Sequence, residues 1–186
     1  PSGQRCAVYL QDAIDSVIQA PTFNQGRWGI VIESLDRGAT LYSHNANDYF
    51  IPASNVKLLT TAAALQTMQF DQPQDRAAFL NWIQITNRDS NNGYADALLR
   101  RIGGVDVVKT SLASLGVDPG SYRQVDGSGL SRYNMAKPTT FTAILRAMKF
   151  NPTPQVSESF YQSLPVSGYS GTLRNRFRNT PAQSIV

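Results

Sequence analysis

A chain of 186 residues, 41% hydrophobic and 16% charged, carries enough apolar material for one domain with a real core and does not read as disordered. The net charge is +4, with basic residues scattered until the stretch LRNRFRN at 173–179, which argues against a nucleic-acid interface. The only cysteine, Cys6, excludes an intrachain disulfide and a thiol metal cluster, and the only histidine, His44, argues against a zinc site or a histidine-paired serine triad. No run approaches the ~18 apolar residues of a membrane span. The opening PSGQRCAVYL lacks the charged start and apolar run of a signal peptide, so a mature or trimmed form is expected.

Along the chain, residues 7–20 place Val8, Leu10, Ile14, Val17 and Ile18 at helical spacing, and Pro21 ends the pattern. Residues 27–35 are rich in β-formers, Arg37-Gly38 supplies a turn, and 39–45 reads as a returning strand, giving a hairpin. The stretch FIPASNVKLLTTAAAL at 50–65 reads as a helix, with Ser54 at its N-cap or first turn and Leu58, Leu59 and Leu65 apolar. Further helices are predicted over 75–86, over 93–104 with Gly103 and Gly104 closing it, over 105–118 with an end at Gly116, and over 137–150 with Pro138 at its start. The glycines and polar residues of DGSGLSRYN at 126–134 predict a loop. Residues 164–177 read as a loop feeding a strand. The order predicts one mixed α/β domain, with sheet-containing parts near 1–50 and 160–186 around a mainly helical part at 51–159.

Two short patterns carry candidate chemistry. In S-x-x-K, Ser54 and Lys57 share a helix face one turn apart, so the amine can reach the hydroxyl. A serine is a poor nucleophile until a base takes its proton, and a lysine among apolar neighbours can serve once its pKa falls. The structural alternative is an N-cap serine beside a lysine that snorkels to solvent. The second pattern, S-x-N at Ser90 and Asn92, offers a hydroxyl that can relay a proton and an amide that can hold a carbonyl or the lysine. An ordinary helix cap explains it equally well, and Ser43-His44-Asn45 matches the same pattern.

Four stretches taken together are more specific: IPASNVKLLTTAAAL, RDSNNGYADALLRRIG, VDGSGLSRYN and LPVSGYSGTLRNRF. In these segments, and in their order, the chain resembles the low-molecular-mass penicillin-binding proteins of the D-alanyl-D-alanine carboxypeptidase/endopeptidase type, the peptidase S13 family. The resemblance implies the serine β-lactamase/penicillin-binding-protein fold, a sheet flanked by helices with an all-helical lobe. It implies Ser54 as the acylated nucleophile, Lys57 as its base, and Ser90 with Asn92 as proton relay and substrate holder. The implied partners are peptidoglycan stem peptides and β-lactams, with no metal or organic cofactor. The implied place of work is periplasmic or otherwise extracytoplasmic. Two departures stand out. A third family motif, Lys-Thr-Gly, is missing, since Lys109-Thr110-Ser111 falls inside a predicted helix and in the wrong order. A large family insertion is also missing near residues 66–72. The alternative is therefore a catalytically degenerate relative that binds peptidoglycan or a partner protein through the same cleft.

Overall fold

The computed structural model describes residues 2–36 and 38–186. Pro1 and Arg37, and the side chains of residues 2–7, lie outside the described residues, so half of the expected Arg37-Gly38 turn and the Cys6 thiol do too. Helix α1 (Ser2–Ile18) starts earlier than its apolar spacing suggests. Of its stripe, Ile18 is buried while Val8 and Val17 are exposed, because only one side of α1 meets the sheet. Strands β1 (Ile30–Ser34) and β2 (Ala39–His44) form the expected antiparallel hairpin, with a bulge between Ile32 and Glu33. Tyr42 on β2 donates to the Asp15 carboxylate of α1 at 2.5 Å, which ties that helix to β2.

The helical part is built around α2 (Val56–Thr67). Its sequence VKLLTTAAALQT mixes Leu and Ala with small threonines, and residues from Val56 through Leu65, Leu58 excepted, are buried. A helix apolar on all sides belongs at a centre rather than on a surface. Here it is enclosed by α3 (Pro73–Arg88), α4 (Asn92–Arg101), α5 (Val105–Ser114), α6 (Pro138–Lys149) and α7 (Pro154–Gln162). Buried threonines turn back on the helix: Thr61 Oγ1 donates to the Lys57 carbonyl at 2.8 Å, so its hydroxyl is not orphaned. Each fully buried Leu or Ile in this cluster, such as Leu59, Ile83 and Leu98, contributes roughly 1.5–3 kcal/mol of transfer free energy.

Two elements were not legible in the sequence. One is α7, whose nine residues include just three large apolar or aromatic side chains. The other is a two-residue ladder, β3 (Tyr122–Arg123) against β4 (Met135–Ala136). This ladder pinches the two ends of the 124–134 loop together. Phe50 joins the same ladder through a pair of backbone hydrogen bonds with Ala136, at 2.9 and 3.0 Å. The loop and the segment entering Ser54 are thereby fixed to one another.

The strand expected after residue 164 does not form. Among the described residues, none beyond Ala136 is a strand, and 163–186 runs as turns with one 3-10 turn at Gly171–Leu173. The reason is local. Gly168, Gly171, Phe177, Asn179 and Ser184 all have positive φ, which no continuous extended run tolerates. Ser167 instead exchanges hydrogen bonds with the backbone at 184 and 185. The sheet content expected over 160–186 is thus absent from these residues.

Candidate active site

Ser54 sits in a 3-10 turn (Ala53–Asn55) that leads into α2 without any side-chain cap hydrogen bond. The capping role open to it in the sequence is not the one it plays. Its hydroxyl is instead 3.0 Å from Lys57 Nζ. Lys57 does not snorkel: it is 2% exposed, and its Nζ also donates to Asn92 Oδ1 at 2.8 Å and to the Ser128 carbonyl at 2.7 Å.

Asn92 reaches the amine from the first turn of α4. The neighbouring Asn91 takes the cap, its Oδ1 accepting from the Tyr94 N–H at 3.0 Å. Ser90 has φ of +54°, a left-handed conformation uncommon outside glycine and asparagine, and lines the cleft without joining the three partners of Lys57. Ser54 and Asn92 are therefore brought together on the Lys57 amine, while Ser90 lines the same cleft. That cleft, about 250 Å³, is also lined by Leu58, Asn87, Leu164, Pro165 and Leu173.

The Ser128 carbonyl was not picked out in the sequence, because a backbone acceptor has no residue type of its own. The glycines on both sides of it were the available signal. A Cβ at Gly127 would lie 2.3 Å from the Ala95 carbonyl oxygen of α4, and one at Gly129 would lie 1.8 Å from the Ala53 carbonyl oxygen. The loop can approach α4 and the Ser54 turn this closely only without side chains there. Asp126 organises it, accepting from the Gly129 and Ser131 N–H groups, both at 2.6 Å, and from Asn134 Nδ2 at 2.9 Å. Burial pushes the Asp126 carboxyl up, but these donors outweigh it and hold it below its ordinary value. Gly129→Ala should cost at least about 2 kcal/mol, since it combines a positive φ with a backbone clash. A urea melt reads this directly as a lower midpoint.

Burial is the main influence on Lys57 and holds its amine below the ordinary 10.5, while the charges of Asp96 and Asp126 pull the other way. The hydrogen-bond types then orient it. The Asn92 amide oxygen and the Ser128 carbonyl can only accept, so a neutral amine gives both of its hydrogens to them. The hydroxyl of Ser54 is the one partner of the three able to donate, and the nitrogen lone pair is left for it. The arrangement can therefore take a proton from Ser54 and give it back.

The other sequence matches lie elsewhere. Thr110 and Ser111 line a separate groove between α2 and α5, and His44 lies in a groove against α1 with Gln11 and Asp15. Among the described residues no group of three or more His, Cys, Asp or Glu side chains is placed to hold a metal ion, and no helix is long and apolar enough to cross a membrane.

With a serine hydroxyl hydrogen-bonded to a lysine amine at the head of a buried central helix, this arrangement of helices and sheet is the fold of the serine β-lactamases and penicillin-binding proteins. The TLA-1 extended-spectrum β-lactamase superposes with a TM-score of 0.67 over 84% of this chain and 68% of its own, at 14% identity, a likeness of fold alone. Residues 10–73 and 77–186 match the model of the D-Ala-D-Ala carboxypeptidase 3 (S13) family, and the chain belongs to that family. It is 35% identical over 123 residues to "Penicillin-sensitive carboxypeptidase A" of Dictyostelium discoideum, covering 58% of this chain and 22% of that protein. It is 37% identical over 113 residues to "D-alanyl-D-alanine carboxypeptidase" of Actinomadura sp. (strain R39), covering 52% of this chain and 20% of that protein. The chain thus matches about a fifth of the length of these two relatives.

Proposed function

We propose that this chain carries the acylating centre of a serine-type D-Ala-D-Ala carboxypeptidase/endopeptidase acting on peptidoglycan stem peptides. The observation that carries the reading is the buried Lys57 amine 3.0 Å from the hydroxyl of Ser54, an exposed residue, with two acceptors fixing its hydrogens. Ser54 Oγ attacks the carbonyl between two terminal D-alanines while Lys57 takes its proton. The tetrahedral intermediate collapses with loss of D-alanine, whose amine is protonated through Ser90, and an ester remains on Ser54. Water then attacks the ester, releasing the shortened peptide and restoring the serine. Such a substrate lies outside the cytoplasmic membrane, so the reading implies periplasmic or other extracytoplasmic work.

A β-lactam that mimics the dipeptide should form a long-lived ester at the same oxygen. Incubation with a fluorescent penicillin and mass spectrometry of the peptide bearing Ser54 tests this: the expected result is one adduct, lost in Ser54→Ala. An unlabelled intact protein, or labelling that survives Ser54→Ala, removes the proposal. Tight muropeptide binding without any adduct would favour the binding-only alternative.

A further inference from the structure

Lys57 obtains its third hydrogen bond from a loop carbonyl, and a carbonyl is only as well placed as the backbone that bears it. Asp126 holds the Gly129 N–H of that same peptide from within the loop, and Asp96 anchors the loop to α4 one residue before Ser128. Asp96 lies on α4 one turn beyond Asn92, on the same face, since residues four apart on a helix are stacked. Asn92 Oδ1 meets the amine directly at 2.8 Å. Asp96 Oδ1 accepts the Gly127 N–H at 2.9 Å, and the next residue's carbonyl, that of Ser128, meets the amine at 2.7 Å. Thr60 Oγ1 donates to the Gly127 carbonyl at 3.2 Å from the other side. Gly127, the residue before Ser128, is therefore held from two helices at once, its N–H by α4 and its carbonyl by α2.

We propose that Asp96 is a positioning residue for the Ser54–Lys57 pair, acting through the Gly127–Ser128 backbone, and that its negative charge, one helical turn from the Asn92 that holds the amine, favours the ammonium form. The proposal rests on the acylation reading for its kinetic consequence but not for its effect on the amine. Two functions of one carboxylate are separable by substitution. Asp96→Asn keeps an Oδ1 acceptor for Gly127 and removes the charge. Asp96→Ala removes both.

The charged groups acting on the amine are Asp96 from α4 and Asp126 from the loop. The other residues lining the cleft from α3 and from the 164–173 segment, Asn87, Leu164, Pro165, Thr172 and Leu173, are uncharged. Deleting one of two carboxylates should therefore move the amine in a definite direction. A favourable negative neighbour is lost, the protonated form is less supported, and titration moves to lower pH.

The chain has four lysines, so the ¹³Cε resonance of Lys57 can be assigned in lysine-labelled protein by single replacements. The expected result is that its titration midpoint lies below that of the native protein in Asp96→Asn. Acylation by a fluorescent penicillin at pH 7 should stay within about threefold of native in Asp96→Asn and fall at least about tenfold in Asp96→Ala. An unmoved midpoint in Asp96→Asn, with that variant folded by circular dichroism, overturns the electrostatic half. Native-like acylation in Asp96→Ala, or equal impairment in both variants, overturns the positioning half. If the native protein is not acylated at all, the acylation reading fails. The carbonyl placement is then judged by the Gly127 amide, whose hydrogen exchange should quicken in Asp96→Ala and not in Asp96→Asn; equal exchange in the two overturns it.

Discussion

Lys57→Met should slow acylation severely and at the same time remove a slope from the pH dependence of stability. General-base assistance by a positioned side chain contributes roughly 10²–10⁴-fold, so the rate of β-lactam labelling should fall by that order. The stability effect follows from where the amine sits. Folding places Lys57 in a buried site and holds its amine below the ordinary 10.5. Between the folded-state value and 10.5 the unfolded chain binds more protons than the native one, so stability rises with pH across that window. Equivalently, the stability is fully present above 10.5 and is lost as pH falls through the folded-state value. Methionine fills a similar volume and has no proton to exchange, so this rise should vanish. Tyr42 and Tyr122, both raised to about 12, act oppositely above pH 10, but they are common to both proteins and cancel in the difference. Urea melts of the two proteins from pH 7 to pH 10 check the point: parallel curves would show that Lys57 titrates in the fold as it does in water. Methionine also leaves Asn92 Oδ1 and the Ser128 carbonyl without a donor, at about 1–3 kcal/mol for each group that stays dry. The absolute stability at any one pH is therefore a poor readout, and the slope is the useful one.

What the sequence disclosed about this site follows from how local each contact is. Ser54 and Lys57 are one helical turn apart, so spacing alone brought them together, and a lysine between Val56 and Leu58 marked an unusual burial. Asn92 approaches from 35 residues away, and only the four stretches read together tied it to Lys57. Ser128 approaches from 71 residues away through its backbone, for which composition offers no direct signal. Gly127 and Gly129 bracket it for a steric reason, but from sequence alone the same glycines read simply as a loop. Asp96 was hidden for another reason: an acidic residue on a helix ordinarily faces solvent, and nothing near it in the chain announces the Gly127 N–H it accepts. The hairpin and five of the six helices after β2 were legible because periodicity and terminal prolines or glycines are local. The β3–β4 ladder, two residues on each side, is too short to leave a period. Residues 164–177 read in the sequence as a loop feeding a strand, but an extended run needs negative φ throughout and a partner edge. Gly168 and Gly171 supply positive φ inside that stretch, and the turn geometry prevails.

The helix missed in the sequence leads to the second large effect: Phe160→Ala should cost about 3–5 kcal/mol. In PQVSESFYQ the large apolar and aromatic residues are few, so α7 looks peripheral on composition. Its packing says otherwise. Phe160 is fully buried in the same cluster as Leu59, Ile83 and Met148, which come from α2, α3 and α6. Nothing in a well-packed interior collapses fully around a lost phenyl ring, so a cavity remains and adds to the lost transfer energy. The helix also has polar ties. Tyr161 donates its hydroxyl to the Leu145 carbonyl of α6 at 2.8 Å, and Ser163, just past the end of α7, accepts from Asn87 Nδ2 at 2.8 Å. Asn87 lines the cleft and donates its Nδ2 to Thr61 Oγ1 at 3.1 Å, and the Thr61 hydroxyl in turn donates to the Lys57 carbonyl. Loosening α7 therefore reaches the lysine through two side chains, whereas Ser163→Ala cuts that tie while leaving the core filled. The expected pattern is a large drop in urea midpoint for Phe160→Ala at an unchanged denaturant slope, against a much smaller drop for Ser163→Ala. A loss below about 1 kcal/mol for Phe160→Ala would place α7 outside the cooperative core, since full burial of a ring predicts several times that.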